Sequence, residues 1–317
     1  MIRAAVIGVG SFGREHARVY AQAGDAQLVS VCDINETSGQ RVAAAFGSAF
    51  CADYRELIGK VDAVSLAVPT VAHAEIACAL LAAGIHVLVE KPIARTLDEA
   101  DAMIDAARRG GAVLQVGHLE RFNPAVIAAR QIVTTPRFFE AHRLSLFTPR
   151  SLDVDVVMDL MIHDIDVVLS LVGSPVREAR AAGIPILTPR IDIANARVEF
   201  ENGCVANLTA SRVSLEKVRK VRFFQPHEYV SIDYAAQEAA TVSVKPDADG
   251  RMQFDARLLA VERCEPLRLE IDAFLAAVSG GEVHVSGEEG RRALALALEI
   301  VARIREHAER AGVPFAG

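Results

Sequence analysis

The apolar positions of the chain follow two rhythms. Over the first 118 residues, short, nearly continuous apolar runs at 3–7, 27–32, 63–68, 85–89 and 113–116 predict strands buried on both faces. Between them, apolar residues three and four apart predict helices at 14–23, 37–46, 73–83 and 97–109, the third stopped by Gly84. A short strand near Ala49 and Phe50 and a short helix at 54–58 fill the remaining interval. Such alternation builds a doubly wound parallel sheet. Beyond residue 118 the rhythm changes. After a helix ending near 132, runs at 137–146, 177–183, 191–200, 204–212, 217–224 and 229–234 predict a large open, mostly antiparallel sheet, with 242–244 as its weakest extension. Asn202-Gly203 between two of these runs is a hairpin signal. Further helices are expected at 156–172, 270–278 and 288–311. The fold class is therefore α/β: a Rossmann domain over 1–118, then a second α/β domain over 119–317.

Composition narrows the class. A chain of 317 residues exceeds the size at which one core usually keeps growing, consistent with two domains. Hydrophobic residues make up 51% and charged ones 24%, with no apolar run of eighteen, so a soluble protein without a membrane partner is expected. The first apolar run follows Met1 at once and is too short for a signal peptide, so a cytoplasmic protein is expected. Five cysteines without a C-x-x-C pair argue against a disulfide framework and against a metal site. A net charge of -7 without a basic run argues against nucleic acid.

Three stretches carry candidate chemistry. Gly8-Val9-Gly10-Ser11-Phe12-Gly13 links the first strand to the first helix. There the first glycine permits the bend, the second lets backbone approach a pyrophosphate, and the third allows close packing at a helix N-terminus. Asp33 ends the second strand about twenty residues later, where a carboxylate can bind ribose hydroxyls and repel a 2′-phosphate. NAD is thus expected rather than NADP, with Arg41 the nearest downstream cation. Pro69-Thr70 and Glu90-Lys91-Pro92 follow the apolar runs at 63–68 and 85–89, at the ligand edge of such a sheet. Asp159-Leu160-Met161-Ile162-His163-Asp164-Ile165-Asp166 sets an imidazole and three carboxylates in an apolar helical run, with Asp159 and His163 on one face. Read blind, Lys91 is as well explained by a solvated strand end as by catalysis, and Asp159 and His163 by ordinary structural groups.

The order and spacing of the glycine turn, Glu90-Lys91-Pro92 and Asp159-x-x-x-His163-Asp164 resemble the glucose-fructose oxidoreductase / inositol dehydrogenase (Gfo/Idh/MocA) family over essentially the whole chain. The resemblance implies an NAD-dependent dehydrogenase with Lys91 on the cofactor side, Asp159 orienting substrate and His163 as acid/base, the roles of Lys91 and His163 being exchangeable. The candidate cofactor set is Gly8, Gly10, Ser11, Phe12, Gly13, Asp33, Ile34, Ala67, Pro69, Thr70, His73, Glu90 and Lys91. The candidate substrate set is Lys91, His118, Arg121, Asn123, Arg143, Arg150, Asp159 and His163, the three arginines offering charge for a phosphorylated ligand. Gly117-His118-Leu119-Glu120-Arg121-Phe122-Asn123-Pro124, together with the aspartate-rich helix, is most similar to the nucleotide-sugar branch, the UDP-N-acetylglucosamine 3-dehydrogenases of lipid A biosynthesis. One departure is Leu152-Asp153-Val154-Asp155, where many relatives carry a glycine pair. A small sugar, cyclitol or nucleotide-sugar substrate and a homodimer or homotetramer through the second sheet are what the resemblance implies. A cofactor-bound regulator without turnover and a reductase of a non-sugar are the other classes.

Overall fold

The computed structural model describes residues 1–148, 154–246 and 250–312. The chain forms two compact units, one of Met1–Leu119 with Glu265–Leu294, the other of Glu120–Cys264 with Ala295–Gly317.

The first unit is a six-stranded sheet of β1 (Ile2–Ile7), β2 (Ala26–Cys32), β3 (Ala49–Cys51), β4 (Ala63–Leu66), β5 (His86–Glu90) and β6 (Leu114–Gly117), in the order β3-β2-β1-β4-β5-β6. Every neighbouring pair is parallel. The order reverses beside β1, which opens a ligand crevice at the carboxyl ends of the strands. All four residues of β4 are buried, as expected of a strand covered on both faces. The helices are α1 (Ser11–Ala21), α2 (Glu36–Phe46), α3 (His73–Ala82) and α4 (Leu97–Gly110). Local chemistry sets their ends. Asn35 Oδ1 accepts from Ser38 N and Thr96 Oγ1 from Glu99 N, while Gly47 and Gly111 stop α2 and α4 with φ of 67° and 61°.

A helix from much later in the chain completes this unit. Along Pro266–Val278 (α7), Leu267, Ile271, Phe274 and Leu275 recur at helical spacing and join one core with Ala17 and Tyr20 of α1 and Val31 of β2. Backbone spacing predicts that this helix has an apolar face; only its contacts show which sheet the face covers.

The second unit carries α5 (Pro124–Arg130), β7 (Phe138–Leu144), α6 (Ile162–Val172), β8 (Val176–Ile184), β9 (Ile193–Phe200), β10 (Val205–Ser211), β11 (Val218–Gln225), β12 (Glu228–Asp233), β13 (Glu238–Pro246) and β14 (Met252–Leu258). Its eight strands run β14-β13-β12-β11-β7-β10-β9-β8, antiparallel except for β7 beside β10. Side chains alternate in and out, as along β7, and Phe139 and Phe223 meet across neighbouring strands with ring centroids 5.3 Å apart. Gly203, at φ 81°, closes the β9–β10 hairpin. The last helix, α8, runs Gly287–Ala311. Two elements differ from expectation. The helix expected at 156–172 begins with a π turn, Val157–Met161, before α6. Strand β14 was not expected, although Met252, Phe254, Ala256 and Leu258 alternate with polar residues; all seven of its side chains are exposed.

Candidate active site

In the first unit the glycine turn is built by contact. A Cβ on Gly13 would lie 1.8 Å from Gly8 O, and one on Gly8, at φ 81°, 2.6 Å from Ala67 O. Gly8, Gly13 and Ala67 therefore seal the start of α1 against the end of β4. A Cβ on Gly10 would meet nothing within 4 Å, and no side chain caps the start of α1. A pyrophosphate fits such a cradle. Beside it, Val9, Gly10, Ser11, Arg14, Asp33 and Arg41 line part of a cavity of ≈ 380 Å³. Asp33 Oδ2 accepts from Val9 N and Oδ1 from Asn35 N, each at 2.8 Å, which holds the carboxylate at the cavity wall with lone pairs left for ribose hydroxyls. Arg14 and Arg41 are the cations that line the same cavity. Asp33→Ala should raise the Kd for NAD about 10- to 100-fold, from the loss of charge-assisted hydrogen bonds, and leave NADP binding less affected. Titrating both cofactors into both proteins checks this; an unmutated enzyme that prefers NADP rejects it.

The other first-unit candidates differ in exposure. Phe12 and Ile34 are exposed at 39% and 95%. Pro69 precedes the turn Thr70–Ala72 after β4, and Lys91 follows β5, joined to Pro92 by a cis peptide bond. His73, by contrast, is buried. Its Nε2 lies 3.0 Å from Val68 O and its Nδ1 3.1 Å from Pro92 O, and burial pushes its pKa down. It braces the chain after β4 against the chain after β5, where a cofactor contact had been expected. Glu90 is half-buried, with Oε1 3.0 Å from His16 Nε2, and a side chain on Gly117 would strike that carboxylate. His118, at the end of β6, is buried.

In the second unit the aspartate-rich stretch sorts by face. Asp164 and Asp166 point inward and are each 2% exposed. Arg143 holds Asp164 bidentately, Nε to Oδ2 at 2.8 Å and Nη2 to Oδ1 at 3.0 Å, donates from Nη1 to Glu120 Oε1 at 3.0 Å, and lies 5.0 Å over the Tyr234 ring. Arg121 Nη1 lies 3.5 Å from Asp166 Oδ1. Burial opposes the charge of Arg143, yet Asp164 and Glu120 more than offset it and its pKa rises. Asp159 and His163 remain partly exposed, Asp159 within the π turn and His163 one residue into α6. Irregular turns of this kind are frequent at functional sites. Ile191 anchors the approach, donating from N to Asp155 Oδ1 and accepting Val156 N at its carbonyl.

Two substrate candidates are engaged within the protein itself. Arg143 spends its donors on protein carboxylates. Asn123 caps α5 by accepting from Ala125 N and donates to Glu120 Oε2 and Tyr234 O. Arg150 lies outside the described residues. His16, Tyr20 and Glu270, which are buried against Glu90 or its neighbours, were not singled out in the sequence; a lone histidine or glutamate on a helix carries no local mark of its long-range partners.

Comparison with known proteins agrees with the fold. Residues 2–118 match the family model described as "Oxidoreductase family, NAD-binding Rossmann fold", and residues 129–225 match the GFO/IDH/MocA C-terminal domain. UDP-N-acetylglucosamine 3-dehydrogenase of Acidithiobacillus ferrooxidans is 39% identical over 98% of this chain and 99% of its own. Its solved structure superposes with a TM-score of 0.90 at 38% identity, covering 96% of this chain and 98% of that one. Inositol 2-dehydrogenase of Rhizobium meliloti is 27% identical over 96% of this chain and 97% of its own. Motif order, a parallel sheet of dinucleotide-binding order and full-length similarity together establish that this chain belongs to the GFO/IDH/MocA family of NAD-binding oxidoreductases.

Proposed function

We propose that this protein is an NAD-dependent dehydrogenase that oxidises the C3 hydroxyl of UDP-N-acetylglucosamine to the 3-keto nucleotide sugar. The observation that carries the proposal is the 39% identity, over nearly the full length of both chains, to an enzyme named for that reaction, against 27% to an inositol dehydrogenase. When bound, NAD supplies the hydride acceptor for the carbon-bound hydrogen. The hydroxyl proton goes to His163, an imidazole being suited to proton transfer near neutral pH. Asp159 orients the substrate hydroxyl, and Lys91 donates a hydrogen bond to the oxygen as it becomes an alkoxide. This reading leaves the diphosphate to groups other than Arg143.

The same reading includes a homodimer or homotetramer in the cytoplasm, assembled through the eight-stranded sheet. It is supported by exposed apolar residues on β14, Phe254 and Leu258 each at 73%. No helix among the described residues is long and apolar enough to cross a membrane.

Oxidation at C3 is unfavourable against NAD, so the assay must remove the ketone. Enzyme, NAD and UDP-N-acetylglucosamine are incubated with an aminotransferase and glutamate, and the amino sugar is sought by mass. Its appearance, dependent on enzyme and NAD, is the expected result. Efficient oxidation of myo-inositol with the nucleotide sugar unchanged rejects the substrate in favour of a cyclitol.

A further inference from the structure

Behind the end of β5 lies a row of buried polar groups with no part in the proposed hydride step. Tyr20 Oη is 3.0 Å from Ser65 Oγ, Ser65 Oγ is 3.0 Å from His16 Nδ1, and His16 Nε2 is 3.0 Å from Glu90 Oε1. Tyr20, Ser65 and His16 are fully buried, so each proton needs an acceptor within the row. Tyr20 donates to Ser65. Ser65 must then turn its own proton onto His16 Nδ1, and the imidazole, accepting there, keeps its proton on Nε2 and donates to Glu90. The row runs one way and ends on Glu90.

Glu270 of α7 closes on the same point. It is 0% exposed, neither of its carboxyl oxygens has a hydrogen-bond partner, and its carboxyl lies within 4.8 Å of the ligating atoms of His16 and Glu90. A second bare carboxylate in that position would meet like charge without a donor to offset it. Burial first, and then Glu90, push the Glu270 pKa well above the ordinary carboxyl range. His16 cannot meet the need, because its Nε2 proton is already directed at Glu90.

We propose that Glu90 and Glu270 share a single buried proton, carried on Glu270 and directed at Glu90, so that the cluster holds one negative charge at the strand end from which Lys91 emerges. His16, Glu90 and Glu270 are then positioning residues. They fix a countercharge next in sequence to the lysine that, on the functional reading above, stabilises the alkoxide. Only that last link rests on the functional reading; the proton site itself does not.

Infrared difference spectra of the full-length protein against Glu270→Gln test the proton directly. At neutral pH the unmutated protein should show the carbonyl stretch of a protonated carboxylic acid, shifted in D2O, missing from Glu270→Gln and kept in Glu90→Gln. Melting gives a second reading. The ionisable groups facing Glu270 are Glu90, His16 and Tyr20, and its raised folded pKa means that the folded chain keeps a proton which the unfolded chain releases. Stability from that proton is full below the unfolded carboxyl pKa and is lost as pH rises toward the folded one. The Tm of the unmutated protein should therefore fall relative to Glu270→Gln as the pH rises above the ordinary carboxyl range. Parallel melting curves without an acid band would show Glu270 ionised and overturn the proposal. So would one equivalent of divalent metal per chain by elemental analysis without the band, which would assign the three side chains to a cation. A protein inactive on UDP-N-acetylglucosamine would reject the functional reading and leave this proton site standing.

Discussion

His163→Ala should lower turnover by roughly 10²- to 10⁴-fold, the range typical of a lost general acid–base group, while leaving the Kd for NAD within a few-fold. The chemistry demands a base. The carbon of a secondary alcohol gives up its hydride readily only as the hydroxyl proton departs, and the half-buried imidazole on α6 is suited to take that proton at neutral pH. Asp164 and Asp166, the other carboxylates nearest in sequence, face arginines in the interior, which leaves Asp159 and His163 as the pair toward solvent. A protonated imidazole cannot accept the proton, so the pH profile of the unmutated enzyme should show an acid limb that His163→Ala removes. Stopped-flow measurement of NADH formation across pH, with cofactor binding followed by fluorescence, separates the step from binding. Turnover and profile both unaltered would assign the proton to Lys91 or to water.

Arg143→Ala should destabilise the second unit by about 3–5 kcal/mol, the usual cost of removing one partner from a buried ion pair. The side chain is 3% exposed and neutralises two carboxylates, Asp164 at 2% and Glu120 at 13% exposure. Deleting it leaves both without their cation and opens a void under the Tyr234 ring. Because Asp164 follows His163 directly, the start of α6 should loosen as well. Denaturant unfolding followed by circular dichroism measures the loss, and Arg143→Met with Asp164→Leu should recover part of it by replacing ions with apolar packing. A direct contact to a diphosphate predicts the opposite pattern, unchanged stability with a raised KM for the nucleotide sugar, and that result would restore Arg143 to the substrate.

The legible parts of the fold are those whose signal is local. The runs around β1, β4 and β5, the glycine turn, and Asp33 at the end of β2 depend on neighbours within a few residues, so spacing alone carried them. The hairpin at Asn202-Gly203 belongs with them, because its turn residues specify the backbone directly. Strand β14 alternates apolar and polar residues, yet all seven of its side chains are exposed, so no packing within the described residues marks it as a strand. The π turn before α6 was invisible because it alters hydrogen-bond registry without altering the apolar period.

By itself the sequence determined the two rhythms of secondary structure, the dinucleotide-binding turn with its acidic partner, and the family, since each is written in residues close together or in motifs of fixed order. Only the tertiary structure decided what the charged residues do. Arg143 stood as a candidate for a phosphorylated ligand against plain surface charge, and β7 brings it to Asp164, 21 residues away in sequence. His73 stood as a cofactor candidate, and its ring nitrogens lie against the carbonyls of Pro92 and Val68. His16 and Glu90 meet across 74 residues, and Glu270 reaches them from a helix near the end of the chain. Electrostatic partnership depends on distance in space and on desolvation, and neither is set by spacing along a chain.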